Sequence, residues 1–326
     1  MPGRASCRRP TTQTETVLKN QLILPTVNDA PEYAGCALPA GSARWKPVDK
    51  FSISLNDLWR VMKLLVHPAR HFLLRRVMLH ENTRQLCRRH PNLAYKYLVD
   101  YASKALSTEQ RRVLLMEHYC FVQTHFVASF IGAISEGQVC LWQLPIEGRY
   151  LTIDLDFPAS MHTEGDLRLT LKMDGLEVYR LIFIIGNGAA LGVNATHAIL
   201  ITCVQGLQAL TELRAATALC DDVHPSHLLI SALSGLAQAV GVHTLVGIRT
   251  HDQIANTGRI FFSYDDFFAK YGKLHDDSGA YVIGLPLEQK SIALIPAKHR
   301  GRTRTKRAFR QAVEDSACSA LARFTR

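Results

Sequence analysis

The spacing of apolar residues changes twice along the chain. From about residue 54 to residue 130, apolar side chains recur three or four positions apart, which is typical of helices that bury one face. The pattern predicts a first helix that starts at Ser54 or Asp57 and three more over residues 70–89, 93–101 and 107–130. Residues 51–136 are therefore predicted to form a helical section.

A two-residue period begins after Gly137. Apolar and polar residues alternate over 151–157 and again over 167–173, as expected for strands with one buried face. Asp174-Gly175 is a hairpin signal that leads into a strand over 178–185, and a further strand covers 198–204. These segments predict an antiparallel meander.

Helical spacing returns after Gly206. The elements predicted there are helices over 207–219 and 225–240, a strand over 244–248, a short helix over 265–271, and strands over 281–285 and 292–295. We predict an α+β fold in which a helical N-terminal section precedes a mostly antiparallel sheet with flanking helices, the sheet domain covering 137–296. Residues 1–50 are predicted to be a flexible leader, and residues 297–326 a basic, partly helical tail.

Charge is distributed in blocks. The 326 residues contain 38 Lys and Arg against 28 Asp and Glu, a net charge of +10. Residues 51–112 hold 12 basic and 4 acidic residues, whereas residues 113–296 hold 10 and 18. The tail concentrates six cations in ten positions: Lys298, Arg300, Arg302, Arg304, Lys306 and Arg307. Such blocks indicate a polyanionic partner, either anionic lipid, lipopolysaccharide or nucleic acid; the alternative is that they face the acidic block within the fold.

The eight cysteines form no C-x-x-C pair, which favours free thiols in a reducing compartment. No run of about 20 apolar residues is present to span a bilayer. We therefore expect a cytoplasmic protein, with peripheral contact at the inner membrane left open, and no metal site. Asp154 and Asp156 share one strand face, where they are either an acid/base pair or ordinary solvent-facing residues.

A helix that starts at Pro225 can hold a phosphate group at its N-terminal end. The order of meander, strand, helix, strand and short helix resembles the N-acetyltransferase-like (GNAT) superfamily, where this helix binds coenzyme A. His224-Pro225-Ser226-His227 stands in place of the superfamily's Q/R-x-x-G-x-G/A loop. The resemblance implies an acyl-CoA cofactor at Gln205, Gly206, His224, Ser226 and Leu228. The catalytic candidates beside it are His227, His251 and Tyr264.

Several short motifs also occur in a fixed order. They are Tyr95-Lys96-Tyr97-Leu98, His118-Tyr119, Val204-Gln205-Gly206, His227-Leu228-Leu229 and Lys298-His299-Arg300. Together they resemble the bacterial VirK/YbjX family, a domain of unknown function, over about residues 55–315. The resemblance implies an accessory protein of Gram-negative bacteria, associated with virulence, envelope stress and tolerance of cationic antimicrobial peptides.

Two hypotheses follow from the sequence. In the first, the chain is a binding protein that engages an anionic partner through residues 51–112 and 298–310. In the second, it is a GNAT-like acyltransferase acting on an envelope component or peptide. The family resemblance assigns no reaction and no catalytic residues, so whether the chain is an enzyme stays open.

Overall fold

The computed structural model describes residues 62, 64, 68–137, 139–159, 164–208, 210–255, 262–276 and 278–326. The predicted leader over 1–50 and the predicted helix start at Ser54 or Asp57 lie outside these residues. The N-terminal helices described are α1 Pro68–Met78, α2 Glu81–Arg89, a 3₁₀ helix Pro91–Leu98, α3 Thr108–His125 and α4 Ser129–Ser135.

Two of the predicted helices are each divided in the structure. The helix predicted over 70–89 is broken at His80, whose Nδ1 accepts a hydrogen bond from the Asn82 amide and so caps a new helix. The helix predicted over 107–130 starts correctly, at a capping box formed by Ser107 and Gln110. It ends at His125 because Phe126 is extended and pairs with Thr325 near the C-terminus.

One eight-stranded sheet follows, in the order β1-β2-β3-β4-β5-β6-β8-β7. The strands are β1 Val139–Ile146, β2 Arg149–Asp156, β3 Leu167–Met173, β4 Leu176–Asn187, β5 His197–Gly206, β6 Thr244–Gly247, β7 Lys273–His275 and β8 Ala280–Gly284. Only the pairing of β5 with β6 is parallel; every other pairing in this described sheet is antiparallel. The predicted α+β class is confirmed.

The remaining helices are α5 Leu210–Leu219, α6 Pro225–Ala239, α7 Tyr264–Phe268 and α8 Ala297–Ala322. The strand predicted over 292–295 is wrong: Ser291 caps a short 3₁₀ helix there, and Leu294 is 77% exposed. The segment predicted as a basic tail is largely α8. This helix lies so close to α6 that a Cβ on Gly235 would be 2.1 Å from the Glu314 carbonyl oxygen.

Helices cover both faces of the sheet. On β4, Gly186 faces Leu114 of α3, and Tyr179 faces His224 at the start of α6. These two β4 residues are an odd number of positions apart, with no bulge in β4 between them, so they point to opposite faces. The helical section, the sheet and α8 contribute to one cluster of buried apolar side chains that extends from Leu74 to Leu321.

Candidate functional site

The parallel strands β5 and β6 separate in the middle of the sheet. Their register ends at the pair Ile201 and Gly247, and β5 continues to Gly206 paired only with β4. A bulge at Thr202 lies at the same point, because Ile182 pairs with Cys203 while Phe183 pairs with Ile201. The sheet therefore opens beside the second half of β5.

Tyr264 of α7 occupies this opening. The Val204 amide, which has no strand partner on that side, donates a hydrogen bond to the Tyr264 hydroxyl at 3.1 Å. The Tyr264 amide in turn donates to Thr250 Oγ1 at 3.0 Å, which anchors the start of α7. Burial raises the pKa of Tyr264 well above its ordinary value, so the phenol is neutral near neutral pH.

A buried polar cluster lies next to Tyr264. Gln253 Nε2 donates to Glu164 Oε1 at 3.1 Å, and both residues are at least 96% shielded, with exposures of 2% and 4%. Burial raises the pKa of Glu164, although the Cys203 thiol and Arg180 partly oppose that shift. Within the described chain, Glu164 Oε2 and Gln253 Oε1 lack a hydrogen-bond partner, which is uncommon for buried oxygens outside binding sites.

Sequence reasoning missed both Glu164 and Gln253. Neither belongs to a recognisable motif, and each lies in a connecting segment, Glu164 before β3 and Gln253 after β6. The only signal in the sequence is that polar residues flank the ends of strands, where site residues often lie. Burial, which singles them out, is not visible in the sequence.

The start of α6 is capped by its own residues. His224 Nδ1 accepts a hydrogen bond from the Ser226 amide at 3.3 Å, and the His227 amide donates to the His224 carbonyl at 2.9 Å. The Leu228 amide also points to that carbonyl, at 3.4 Å. The side chains of Ser226 and Leu228 are buried, so only their backbone groups could meet a ligand.

His227 is hydrogen-bonded through Nδ1 to the Tyr271 hydroxyl and stacks on Phe267. Burial, together with the nearby cations Arg310, Lys270 and Lys306, lowers the pKa of His227 to about 4. Burial also lowers the pKa of His224. Both rings are therefore neutral near neutral pH, and His227 has the protonation state of a base.

The structure brings some of the predicted site residues together and not others. The rings of His224 and His227 are 6.3 Å apart, and Tyr179 lies between His224 and Gly206. Gln205 accepts a hydrogen bond from Arg180 at 2.6 Å. His251 is separate: its side chain is 63% exposed and its Nε2 lies 3.2 Å from Asp252 Oδ1.

Asp154 and Asp156 each have a cationic partner on β3. Asp156 forms a two-pronged ion pair with Arg168, with both N–O distances at 2.8 Å, and Asp154 lies 2.9 Å from Lys172. These cross-strand pairs account for the two carboxylates without acid/base chemistry. In the part of the chain that the structure describes, no three His, Cys, Asp or Glu side chains are grouped to hold a metal ion.

Most of the predicted polyanion-binding cations of α8 have partners within the fold. Arg300 donates to the Ile295 carbonyl at 2.8 Å, Arg302 lies 2.7 Å from Asp222 Oδ2, and Lys306 donates to the Asp222 carbonyl at 2.6 Å. Arg307 donates to the Lys290 carbonyl. The side chains of Lys298 and Arg304 make no hydrogen bond or ion pair with another described residue.

On α1 and α2, by contrast, several cations have no partner among the described residues. Arg75, Arg76, Arg84 and Arg88 are exposed and have no ion pair with any residue in the described ranges, and we call these four residues the arginine surface. Three large apolar side chains are exposed on the same segment: Phe72 at 71%, Leu73 at 49% and Leu79 at 46%. No described helix is long and apolar enough to cross a membrane.

A buried ion pair joins the helical section to the sheet. Lys96 Nζ lies 2.6 Å from Asp166 Oδ1, and the hydroxyls of Tyr101 and Tyr119 donate to the same carboxylate. Burial disfavours the charged carboxylate, but Lys96 and His118 outweigh that effect and lower the pKa of Asp166. Lys96 and Tyr119 belong to the first two sequence motifs described above.

A family model described as "Protein of unknown function (DUF535)", which is the VirK/YbjX family, matches residues 58–318. The chain belongs to the VirK/YbjX family. No curated protein and no solved structure gives a significant match. The resemblance drawn from the motifs is thus confirmed for the family.

Within this VirK/YbjX protein, the first four motifs lie at three places, and Lys298-His299-Arg300 lies in the first turn of α8. Lys96 of the first motif and Tyr119 of the second contribute to the buried ion-pair cluster, and Val204-Gln205-Gly206 forms the end of β5 that pairs with β4 but not with β6. His227-Leu228-Leu229 lies in the first turns of α6. The first four motifs therefore mark the contact between helices and sheet and the opening between β5 and β6.

Proposed function

We propose that this VirK/YbjX protein binds anionic membrane lipid through α1 and α2. The observation that carries the proposal is the arginine surface beside exposed Phe72, Leu73 and Leu79. Unpaired guanidinium groups attract an anionic surface at about 1 kcal/mol each, so the four supply roughly 4 kcal/mol. Exposed apolar side chains add affinity by entering the interface between head groups and acyl chains.

Lipid fits this surface better than nucleic acid does. Phosphate backbones are bound by cations and polar groups, and exposed leucines contribute nothing to such contacts. Leu73 and Leu79 are exposed among the arginines. This mixture suits a membrane surface, where charged head groups cover an apolar interior. Lys298 and Arg304 on α8 are a weaker candidate, because only these two of the six predicted cations lack a partner among the described residues.

The roles implied by the family are part of the same proposal. A protein held at the inner membrane by anionic head groups covers the charges that attract cationic peptides. Tolerance of antimicrobial peptides, response to envelope stress and an accessory role in virulence would follow from such coverage. Contact of this kind is peripheral and depends on ionic strength.

Vesicle sedimentation tests the proposal. The full chain should sediment with vesicles of mixed phosphatidylglycerol and phosphatidylcholine, less at higher salt, and not with phosphatidylcholine alone. The quadruple variant R75Q/R76Q/R84Q/R88Q should lose binding. A control with the same change of charge, R214Q/K273Q/K298Q/R304Q, should retain it. The assignment would be overturned if only the control variant lost vesicle binding. It would also be overturned if the protein bound an oligonucleotide equally well and the quadruple variant lost that binding too.

A second candidate function is acyl transfer, favoured by the opening between β5 and β6. Apart from the additional helix α5 between β5 and α6, the order of meander, β5, α6, parallel β6 and α7 is the order that the GNAT resemblance implies. An acyl-CoA would supply the acyl group, held at His224, Gln205 and Gly206. Glu164 and Tyr264 lie where they could accept or donate a proton. His227 stacks on Phe267, which contacts Phe268, the ring next to Tyr264.

The residues at the start of α6 are a poor match for a pyrophosphate. The amides of Ser226, His227 and Leu228 already have acceptors in His224. Lipid binding is therefore the first proposal. A salt-resistant thermal shift with an acyl-CoA, reduced by Gly206→Trp and unchanged by Gly301→Ala, would support acyl transfer. Absence of any shift across acyl-CoAs would exclude it.

A further inference from the structure

A cavity of about 190 Å³ lies between α1, α2 and the 3₁₀ helix Pro91–Leu98. Two members of the arginine surface, Arg75 and Arg88, line it. Apolar groups make up most of the remaining wall: Met78, Leu79, Ala94 and Tyr95. The cavity is thus bounded by two cations and an apolar wall, with no carboxylate among its lining residues.

The two arginines are available to a ligand. Both side chains are exposed, and neither has an anionic partner among the described residues. A guanidinium group presents paired N–H donors whose geometry matches two oxygens of a phosphate. Two such groups at one cavity suit a phosphate with several unshared oxygens better than a carboxylate.

The thiol in the wall does not compete with this assignment. Cys87 lines the cavity, but its Sγ donates to the Met78 carbonyl at 3.1 Å. Burial raises the pKa of Cys87 to about 11, so the thiol is neutral near neutral pH. It adds apolar surface rather than a nucleophile or a repelling negative charge.

We propose that this cavity binds a phosphate monoester group, with Arg75 and Arg88 holding its oxygens and the apolar wall contacting the carbons next to it. The inference rests on the proposed lipid-binding function and makes it more specific. Arg76 and Arg84 would supply general attraction to an anionic surface, and the cavity would select head groups with an exposed phosphate. A lipid head group and a soluble phosphate ester share this chemistry.

Calorimetric titration of the full chain with two probes separates these sources. Dihexanoylphosphatidic acid, below its micelle concentration, presents the lipid form, and glycerol 3-phosphate presents the soluble form. We expect saturable binding of the first, and weaker binding of the second because it lacks acyl chains. Dihexanoylphosphatidylcholine should not bind. Equal affinity for both phosphates would assign the cavity to a soluble ester, and binding of neither would overturn the proposal.

Matched arginine pairs locate the site. R75Q/R88Q should weaken binding of dihexanoylphosphatidic acid about tenfold or more, because both charge-assisted contacts to the phosphate are lost. R76Q/R84Q has the same charge change on the same helices and should alter the affinity less than about twofold. R75K/R88K retains the charge and loses the planar fork, so it too should bind more weakly.

The two proposals fail in different ways. Equal losses in R75Q/R88Q and R76Q/R84Q would reject the cavity and leave general binding to anionic vesicles intact. Absence of vesicle binding by the unmodified chain would reject the proposed function, whatever the titration gives. All four arginines are exposed, so the variants should fold, and unfolding curves check that they do.

Discussion

Lys96 and Asp166 form an ion pair in which both side chains are almost completely shielded from solvent, with exposures of 0% and 1%. The two residues come from the helical section and from the segment before β3, so the pair holds these two parts together. Gly165, Tyr101 and Tyr119 supply further hydrogen bonds. Removal of either charge would leave the other buried without its counter-ion.

Lys96→Met should therefore destabilise the fold by about 3–5 kcal/mol. The reason is that Asp166 keeps its desolvation cost and loses its partner. The double variant K96M/D166N should cost less than the sum of the two single variants. Urea denaturation of all three checks the coupling. Lys298→Met, at an exposed residue, is the control and should change the free energy of unfolding by less than about 0.5 kcal/mol.

Stability should fall as the pH drops from about 6.5 to about 4. His227 has a folded-state pKa of about 4 against an ordinary value of 6.5, because burial and nearby cations disfavour its charged form. In that interval the unfolded chain binds a proton and the folded chain does not, so acid favours unfolding. His118, lowered to about 4 mainly by burial, acts in the same direction.

Urea denaturation at pH 7 and pH 5 measures how steeply the free energy of unfolding changes with pH, which we call the slope. His227→Gln should reduce the dependence on pH, even though it also loses the bond to Tyr271. An unchanged slope in the His227 variant would show that burial of this ring does not govern the acid response.

Gly235→Ala should destabilise the packing of α6 on α8. The added Cβ would lie 2.1 Å from the Glu314 carbonyl oxygen, which is backbone and can move only if the helices separate. Overpacking of this kind costs about 1–3 kcal/mol. Gly301→Ala is the matched control, because its Cβ meets nothing within 4 Å and Ala favours helix by up to about 1 kcal/mol. The midpoint of thermal unfolding should therefore fall in Gly235→Ala and rise in Gly301→Ala.

Tyr264→Phe should destabilise the structure around the opening between β5 and β6. The Val204 amide would lose its acceptor and remain buried, at a cost of about 1–3 kcal/mol. Hydrogen exchange of the Val204 amide should become faster. A loss of stability confined to another region would not produce this change. Tyr150→Phe removes a hydroxyl from a side chain that is 44% exposed and should have little effect.

Local elements could be predicted because their causes are local. The hairpin at Asp174-Gly175 needs two residues with positive φ, and the structure has φ values of 52° and 82° there. The start of α3 follows from the capping box, and β2 and β3 follow from alternation. The errors occur where a distant contact overrides the pattern. Phe126 leaves the helix to pair with Thr325, almost 200 residues away in the sequence.

Site residues divide in the same way. The sequence by itself determined which segments are helical or extended, which are basic, and which family the chain belongs to, because these depend on composition, period and short motifs. Only the tertiary structure decided that Arg302 meets Asp222 while Arg75 and Arg88 meet no acid among the described residues, and that Glu164 is buried beside Cys203. Such pairings join residues far apart in the chain, so they depend on how the elements pack and leave no periodic trace in the sequence.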